Sequence, residues 1–354
     1  MDSSTAYVDN RQMAAIETAV FGAGNWARRT LLPALTAQPE VTVVGCVDAE
    51  PDRAKAVAAE FGVPDAHRTL DELFAARDGL GLLVVAAPDH LHVPAARAAL
   101  ARGVAVYCEK PVGNSAAAVD ELAGLAESAG VPATVGYAFR YSSAVQALCA
   151  DLRTGVLGDV WLIELFEHNP QFHPVGGEPM NWKGDPDRVV AGALLEYGSH
   201  VLDLCQWLLG PIASVSADLV RVRPDAGVDD VATLQLRFAR GASGTLLCGW
   251  VLAGGYPGIT IRLHTSAGLA EVHLGDLVEP GERYVRRAPD GTELSTAALS
   301  AQDGGPTGRQ LADLIATLRG APPSPTLPTL RDAALTHRVI AAALCATERW
   351  QPVT

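Results

Sequence analysis

Residues 192–203 read Gly-Ala-Leu-Leu-Glu-Tyr-Gly-Ser-His-Val-Leu-Asp and run into the apolar stretch 204–209. A helix over this segment puts Glu196, His200 and Asp203 at i, i+4 and i+7, on one face. A histidine bracketed by carboxylates is a candidate general base whose charged form they stabilise. The same three residue types also suit a metal ion, and a solvated helix face is the plain alternative. Upstream, Cys108-Glu109-Lys110-Pro111 closes a short apolar run. A lysine there is either an ordinary surface residue or a partly desolvated ammonium. The second kind has a lowered pKa and donates to, or relays a proton from, a substrate oxygen. The Lys110-Pro111 bond is a candidate cis peptide.

A second group of residues points to a bound dinucleotide. Gly22-Ala23-Gly24-Asn25-Trp26-Ala27 is a G-x-G-x-x-A loop that follows an apolar run and opens a helix-like stretch. There, free N–H groups and the helix dipole attract pyrophosphate. Asp48 ends the next apolar run, where a carboxylate accepts hydrogen bonds from the adenosine ribose, or serves as a helix N-cap before Pro51. With Glu50 and Asp52 near it, Asp48 favours NAD over NADP by repelling a 2′-phosphate, although Arg53 stands close enough to serve one. Ala87, Pro88 and His92 close a further run, and His92 either faces the nicotinamide or caps the following helix. The polar segment 168–189 holds Asn169, Gln171, His173, Asn181, Trp182 and Lys183. A loop of that length is usually functional. Trp182 either covers the apolar face of a sugar ring or anchors the loop to the core.

The elements that position these residues follow from patterning. Apolar runs at 18–21, 41–47, 82–86, 104–107 and 133–135 alternate with helix-like stretches at 26–37, 51–61, 93–102 and 115–128, which specifies a parallel sheet. Beyond about residue 137 the strand candidates 160–166, 213–222, 233–238, 244–252, 259–264 and 270–274 include runs with one polar and one apolar face. That predicts a mostly antiparallel sheet, with an exposed face as a plausible interface between subunits. Prolines 322, 323, 325 and 328 lead into a last helix at 330–350 that is expected to pack back on the first half.

The chain is 354 residues, long enough for two cores. Hydrophobic residues are 49% and charged residues 19%, which excludes a disordered chain. A formal net charge of −13 repels the phosphate backbone and argues against nucleic-acid binding. No apolar stretch reaches the ~20 residues of a membrane helix, and no secretory signal is read at the start. Six cysteines without a Cys-x-x-Cys pair fit reduced thiols in a cytoplasm.

Taken in order, the loop 22–27, Pro88 to His92, Glu109-Lys110-Pro111, the segment 137–141 (Tyr-Ala-Phe-Arg-Tyr), Trp182-Lys183 and the run 192–203 resemble the motifs of the Gfo/Idh/MocA family (glucose-fructose oxidoreductase, inositol dehydrogenase, rhizopine catabolism). The resemblance covers nearly the whole chain. It implies an α/β protein with a Rossmann domain at 14–136, after a polar extension at 1–13, and an α+β domain with a large open sheet at 137–354. It implies NAD, or else NADP, held by Gly22, Gly24, Asn25, Trp26, Asp48, Arg53, Ala87, Pro88, His92, Glu109 and Lys110. The catalytic groups would be Lys110, His200 and Glu196, the last standing where the family usually has aspartate. Substrate would meet Lys110, Tyr137, Arg140, Trp182, Glu196 and His200, with Asp203 orienting His200 or holding the helix, and no metal is expected. The implied reaction is hydride transfer between nicotinamide and a secondary alcohol or ketone of a sugar, cyclitol or amino sugar, in a cytoplasmic homodimer or homotetramer. Two other readings stand beside it: an NAD-dependent glycoside hydrolase of the same fold, and a non-catalytic cofactor-binding regulator.

Overall fold

The computed structural model describes residues 14–253, 258–275, 281–299 and 304–346; the expected polar extension 1–13 and residues 347–350 of the expected last helix lie outside them. Strands β1 (Ile16–Phe21), β2 (Val41–Val47), β3 (Asp65–His67), β4 (Leu82–Val85), β5 (Ala105–Cys108) and β6 (Ala133–Val135) form a parallel sheet in the order β3-β2-β1-β4-β5-β6. β4 and β5 are buried along their whole length, so their sequences are unbroken apolar runs. Strand order reverses between β1 and β4, and the carboxyl ends of those strands flank the crevice where such sheets bind ligands.

Helices cover both faces of this sheet. α1 (Leu32–Thr36), entered through a π-type turn at Ala27–Leu31, and α2 (Pro51–Phe61) pack on one face through Leu31, Leu35 and Val57. On the other, α3 (Leu70–Ala76), α4 (His92–Leu100) and α5 (Ala116–Ala129) pack through Leu73, Ala96 and Leu122.

The chain then crosses through α6 (Ser143–Thr154) into β7 (Val160–His168), and α7 (Ser199–Leu209) follows. β8 (Ile212–Val220), β9 (Val231–Phe238), β10 (Ser243–Gly249), β11 (Ile259–Thr265), β12 (Gly268–Leu274), β13 (Glu282–Arg287) and β14 (Glu293–Leu299) complete an eight-stranded sheet. Its order is β14-β13-β12-β11-β7-β10-β9-β8, antiparallel except where β7 meets β10. β9 shows the two faces: Ala232, Leu234, Leu236 and Phe238 are buried in the core shared with α6 and α7, while Thr233, Gln235 and Arg237 are exposed.

α8 (Gly305–Leu318) returns to the first sheet, where Leu311, Leu314 and Ile315 join its core. α9 (Leu330–Cys345) starts at a capping box made by Thr329 and Asp332. Its Leu330, Ala333 and Ala334 lie in the core of the parallel sheet, and Val339, Ile340 and Ala343 in that of the open sheet. The last helix therefore packs back on the first half through Leu330, Ala333 and Ala334, with Arg338 also reaching Asp120 of α5, and ties the two cores together.

Candidate active site

The loop after β1 is shaped by contact with the loop after β4. Gly22 has φ +99°, and a Cβ there would lie 2.5 Å from the backbone of Ala86 and Ala87. Only glycine permits both the conformation and the approach. Over Gly24, by contrast, an added Cβ would meet nothing within 4 Å, so the loop is open where a phosphate would come. Asp48 pins this loop to β2. Its Oδ2 accepts from the Ala23 amide at 2.9 Å, its Oδ1 from the Glu50 amide at 2.9 Å, and Arg53 grips both oxygens at 3.0 and 2.6 Å. Burial works to raise the Asp48 pKa, but Arg53 and the two amides outweigh it and hold the carboxyl below its usual value. Glu50, not Asp48, stands at the N-cap of α2, so the capping alternative for Asp48 is corrected. A cleft of about 450 Å³ opens between Gly24, Asn25, Arg28, Arg53, Val57 and Glu60. An open glycine loop, a helix start and an acidic strand end beside a cleft of this size suit the pyrophosphate and adenosine of a dinucleotide.

Trp26 and Glu109 join that loop to the one carrying the lysine. Trp26 Nε1 donates to Glu109 Oε1 at 2.8 Å, while Glu109 Oε2 accepts from the Lys110 amide at 3.2 Å. His92 does not face the cleft. It is 1% exposed, with Nδ1 at 2.8 Å from the Pro111 carbonyl and Nε2 at 2.6 Å from the Ala87 carbonyl. Instead it staples the loop after β4 to the loop after β5, where the Lys110-Pro111 bond is cis.

Lys110 meets Glu196 across the crevice. Its Nζ donates to Glu196 Oε1 and to the Glu196 carbonyl, both at 3.0 Å, and Lys183 Nζ donates to the same Oε1 at 2.8 Å. One carboxylate thus carries two ammonium groups. Burial alone would raise the Glu196 pKa, but Lys110 and Lys183 reverse the sign and hold it well below the carboxylate range. For Lys110, desolvation lowers the pKa and Glu196 raises it, and Glu196 wins. The lowered lysine expected from sequence is thereby corrected: contact with a carboxylate outweighs loss of water, and Lys110 stays an ammonium. His200 is corrected in the same way. Burial first, and then Lys110, push its pKa well below 6.5 against the pull of Glu196, so the imidazole is neutral at neutral pH. Its Nδ1 is buried without a hydrogen-bond partner among the described residues, and Phe139 packs edge-on at 4.8 Å.

Asp203 turns away from this group. Its carboxylate is 1% exposed and pairs with Arg140, with Nε–Oδ2 at 2.8 Å and Nη2–Oδ1 at 2.5 Å. The segment Ala138–Tyr141 covers the helix face that carries His200 and Asp203, giving Phe139 to one and Arg140 to the other. Glu196, His200 and Asp203 therefore do not converge as metal ligands. Arg140, 2% exposed, and Tyr137, 1% exposed in the core of the parallel sheet, are corrected as substrate contacts, because neither reaches the cleft. Trp182 packs partly buried beside Phe172, Val189 and Trp250, the anchoring arrangement, and its neighbour Lys183 reaches Glu196.

A π-type turn at Leu194–Gly198 presents Glu196, and Asp229 holds its start. Asp229 Oδ1 and Oδ2 accept from the amides of Gly192 at 2.7 Å and Leu194 at 2.8 Å. A Cβ on Gly192 would lie 2.1 Å from the Asp229 carbonyl. Sequence reading missed Asp229, and it did not assign Lys183, Asp89 or Glu167 to the site. Asp89 lines a second, smaller pocket with Lys183 and Glu196; burial, and then Glu196, raise its pKa to about 7. A buried acid pair within 228–231, Val-Asp-Asp-Val, was the one available signal for Asp229.

Residues 16–137 match the model of an oxidoreductase family with an NAD-binding Rossmann fold, and residues 145–271 match the GFO/IDH/MocA C-terminal domain. The chain is 32% identical over 327 residues to a protein of Amycolatopsis mediterranei named as a UDP-kanosamine synthase oxidoreductase subunit, covering 86% of this chain and 88% of that one. It is 29% identical to the dTDP-3,4-didehydro-2,6-dideoxy-alpha-D-glucose 3-reductase of Streptomyces violaceoruber, with 79% of each chain covered. Among solved structures, GenD2 from gentamicin A biosynthesis in complex with NAD superposes with a TM-score of 0.79 at 25% identity over 94% of both chains. The glycine loop pressed on β4, the acid closing β2, and a lysine meeting the 192–203 segment across the crevice agree with those matches, and the chain belongs to the Gfo/Idh/MocA oxidoreductase family.

Proposed function

We propose that this chain is an NAD-dependent oxidoreductase of a sugar, cyclitol or amino sugar, in which Lys110 and His200 act on the oxygen of a secondary alcohol or its ketone. The observation that carries the reading is the charge state of the pair. Lys110 is an ammonium held by Glu196, and His200 is a neutral imidazole beside it. In the oxidation direction His200 takes the hydroxyl proton, and Lys110 donates to the same oxygen as its charge develops. NAD, when bound, accepts the hydride released from carbon, so the alcohol loses one proton and one hydride and becomes the ketone. Reduction returns both by the same groups. Glu196 keeps Lys110 charged and aimed, and Lys183 keeps Glu196 ionised. The two relatives named for UDP- and dTDP-linked sugars support a sugar as the substrate class.

Asp48, ionised and 6% exposed at the end of β2, supports NAD over NADP. We also infer a division at 136/137, supported by a separate sheet on each side, with α8 and the start of α9 returning to the first core. Assembly as a homodimer or homotetramer through the open sheet face completes the reading, supported by Leu162, Phe166 and Leu247, which stand half-buried on that face; light scattering that gives a monomer mass would overturn it. Five of the six cysteines are free and buried, in keeping with a cytoplasmic setting. The function is tested by following reduced nicotinamide with NAD and NADP across inositols, aldoses and amino sugars. The expected result is turnover of at least one of them with NAD, and nucleotide binding without any turnover would overturn the reading.

A further inference from the structure

Glu167 plays no part in the chemistry above, yet it is a polar group without a structural explanation. In β7 the alternation turns Ile163, Leu165 and Glu167 to the helix-covered side, where the first two are fully buried core. Glu167, one turn of the pleat further on, arrives beside Lys110 and Glu196 instead of apolar side chains. It is 8% exposed, and its Oε2 is buried with no hydrogen-bond partner among the described residues. Neither nearby lysine serves it. Lys110 Nζ gives its hydrogen bonds to the Glu196 carbonyl and carboxylate, and Lys183 Nζ gives its own to that carboxylate. A buried carboxyl oxygen left unpaired is costly, and such groups persist where a ligand completes them.

We propose that Glu167 is a substrate-binding residue of this same site, where its carboxyl hydrogen-bonds a second hydroxyl of the polyol, next to the oxygen held by Lys110. The inference rests on the oxidoreductase reading above and names a group that reads the substrate. The groups facing Glu167 are Lys110 from the loop after β5, Glu196 and Tyr197 from the π-type turn, and Cys248 from β10. Burial, and then Glu196, raise its pKa well above the usual value, and Lys110 does not offset them. The shift favours the neutral form of the carboxyl. A neutral carboxyl both donates and accepts, which matches a hydroxyl group in either sense.

Infrared difference spectroscopy between the wild type and Glu167→Gln, each loaded with NADH, reads this carboxyl directly, because a polyol cannot be oxidised in that complex. The expected spectrum shows the bands of the Glu167 carboxyl, absent from the Gln variant and displaced on adding myo-inositol, D-glucose or D-glucosamine. Glu167 bands that none of these polyols moves overturn the proposal. In turnover, Glu167→Leu should raise KM about tenfold or more with kcat and NAD affinity nearly kept, and Glu167→Gln should recover most of the loss. Equal losses in both variants, or none in the Leu variant, also overturn it. Failure of the oxidoreductase reading would show separately, as no NADH formed by the wild type, and the infrared result is readable in either case.

Discussion

Two lysines on one carboxylate, together with burial, set the charges of the groups around them. Glu196 is ionised because Lys110 and Lys183 both donate to it, Lys110 stays charged because Glu196 is there, and His200 stays neutral because it is buried beside two ammonium groups. The acid limb of kcat/KM is accordingly expected well below 6.5, the ordinary histidine value. Lys183→Met removes one cation that depresses His200 and one that holds Glu196 ionised, so the limb should move to higher pH while NAD affinity is unchanged. A pH–rate profile that superposes on the wild type would remove Lys183 from the account. Lys110, Glu196 and His200 were legible in the sequence because each is an unusual residue at a strand end or in a patterned helix. Their charge states were not, since these depend on distances: Lys110 reads as a depressed amine until Glu196 is found at 3.0 Å. Of the two readings of Asp203, the one that has it orient His200 fails for a related reason, as helical spacing gives its face but not the arginine that covers that face.

At the level of elements, the site is held by ion pairs and caps that lie behind it. Arg140 and Asp203 tie the segment Ala138–Tyr141 to α7, and Arg140 also reaches Asp332 in α9 at 3.5 Å. Asp203→Asn leaves the guanidinium buried without its main partner and is expected to cost about 3–5 kcal/mol. Urea unfolding, with the m-value unchanged, measures it, and a loss under ~0.5 kcal/mol, the scale of an exposed pair, would contradict the buried geometry. Asp229 does for the π-type turn what a capping residue does for an α-helix, satisfying two amides at its start. The longer elements were readable: α2 runs from Pro51 to Phe61 as its pattern requires, and β2 from Val41 to Val47. Elements with a weak pattern escaped. β3 has three residues and α3 seven, α8 begins in a Gly-Gly-Pro sequence that reads as a turn, and β13 is Glu-Arg-Tyr-Val-Arg-Arg, too polar to suggest a strand. α6, between the two halves, was also passed over, though its Val145 and Leu148 belong to the open-sheet core.

For the whole molecule, α9 joins the two cores, so each sheet is stabilised through the other. That helix also buries His337, whose pKa falls from 6.5 to about 4 because its ring is cut off from water. His200 is depressed for the same first cause. Both histidines take up a proton near 6.5 when unfolded but resist it when folded, so the unfolded state binds more protons below that pH. Their share of the stability is then complete above 6.5 and is lost as pH falls toward 4, at up to about 1.4 kcal/mol per pH unit for each histidine, while Asp89, with its pKa raised to about 7, works in the opposite sense over the same range. Thermal unfolding of the wild type and His337→Leu at pH 7 and pH 5 isolates the share of His337: between the two pH values the midpoint of the Leu variant should fall less, or rise more, than that of the wild type, and equal changes in both would contradict the burial of His337. The open sheet and the crevice belong to different faces of the second sheet, so assembly through one leaves the other accessible.

The most direct test of the central claim is formation of reduced nicotinamide by the wild type, Lys110→Ala and His200→Ala with NAD and whichever polyol the wild type oxidises. With Lys110 and His200 acting on the reacting oxygen, each substitution should cut turnover at least ~100-fold while NAD affinity, read by fluorescence titration, is nearly kept. Turnover unchanged in either variant would contradict the account.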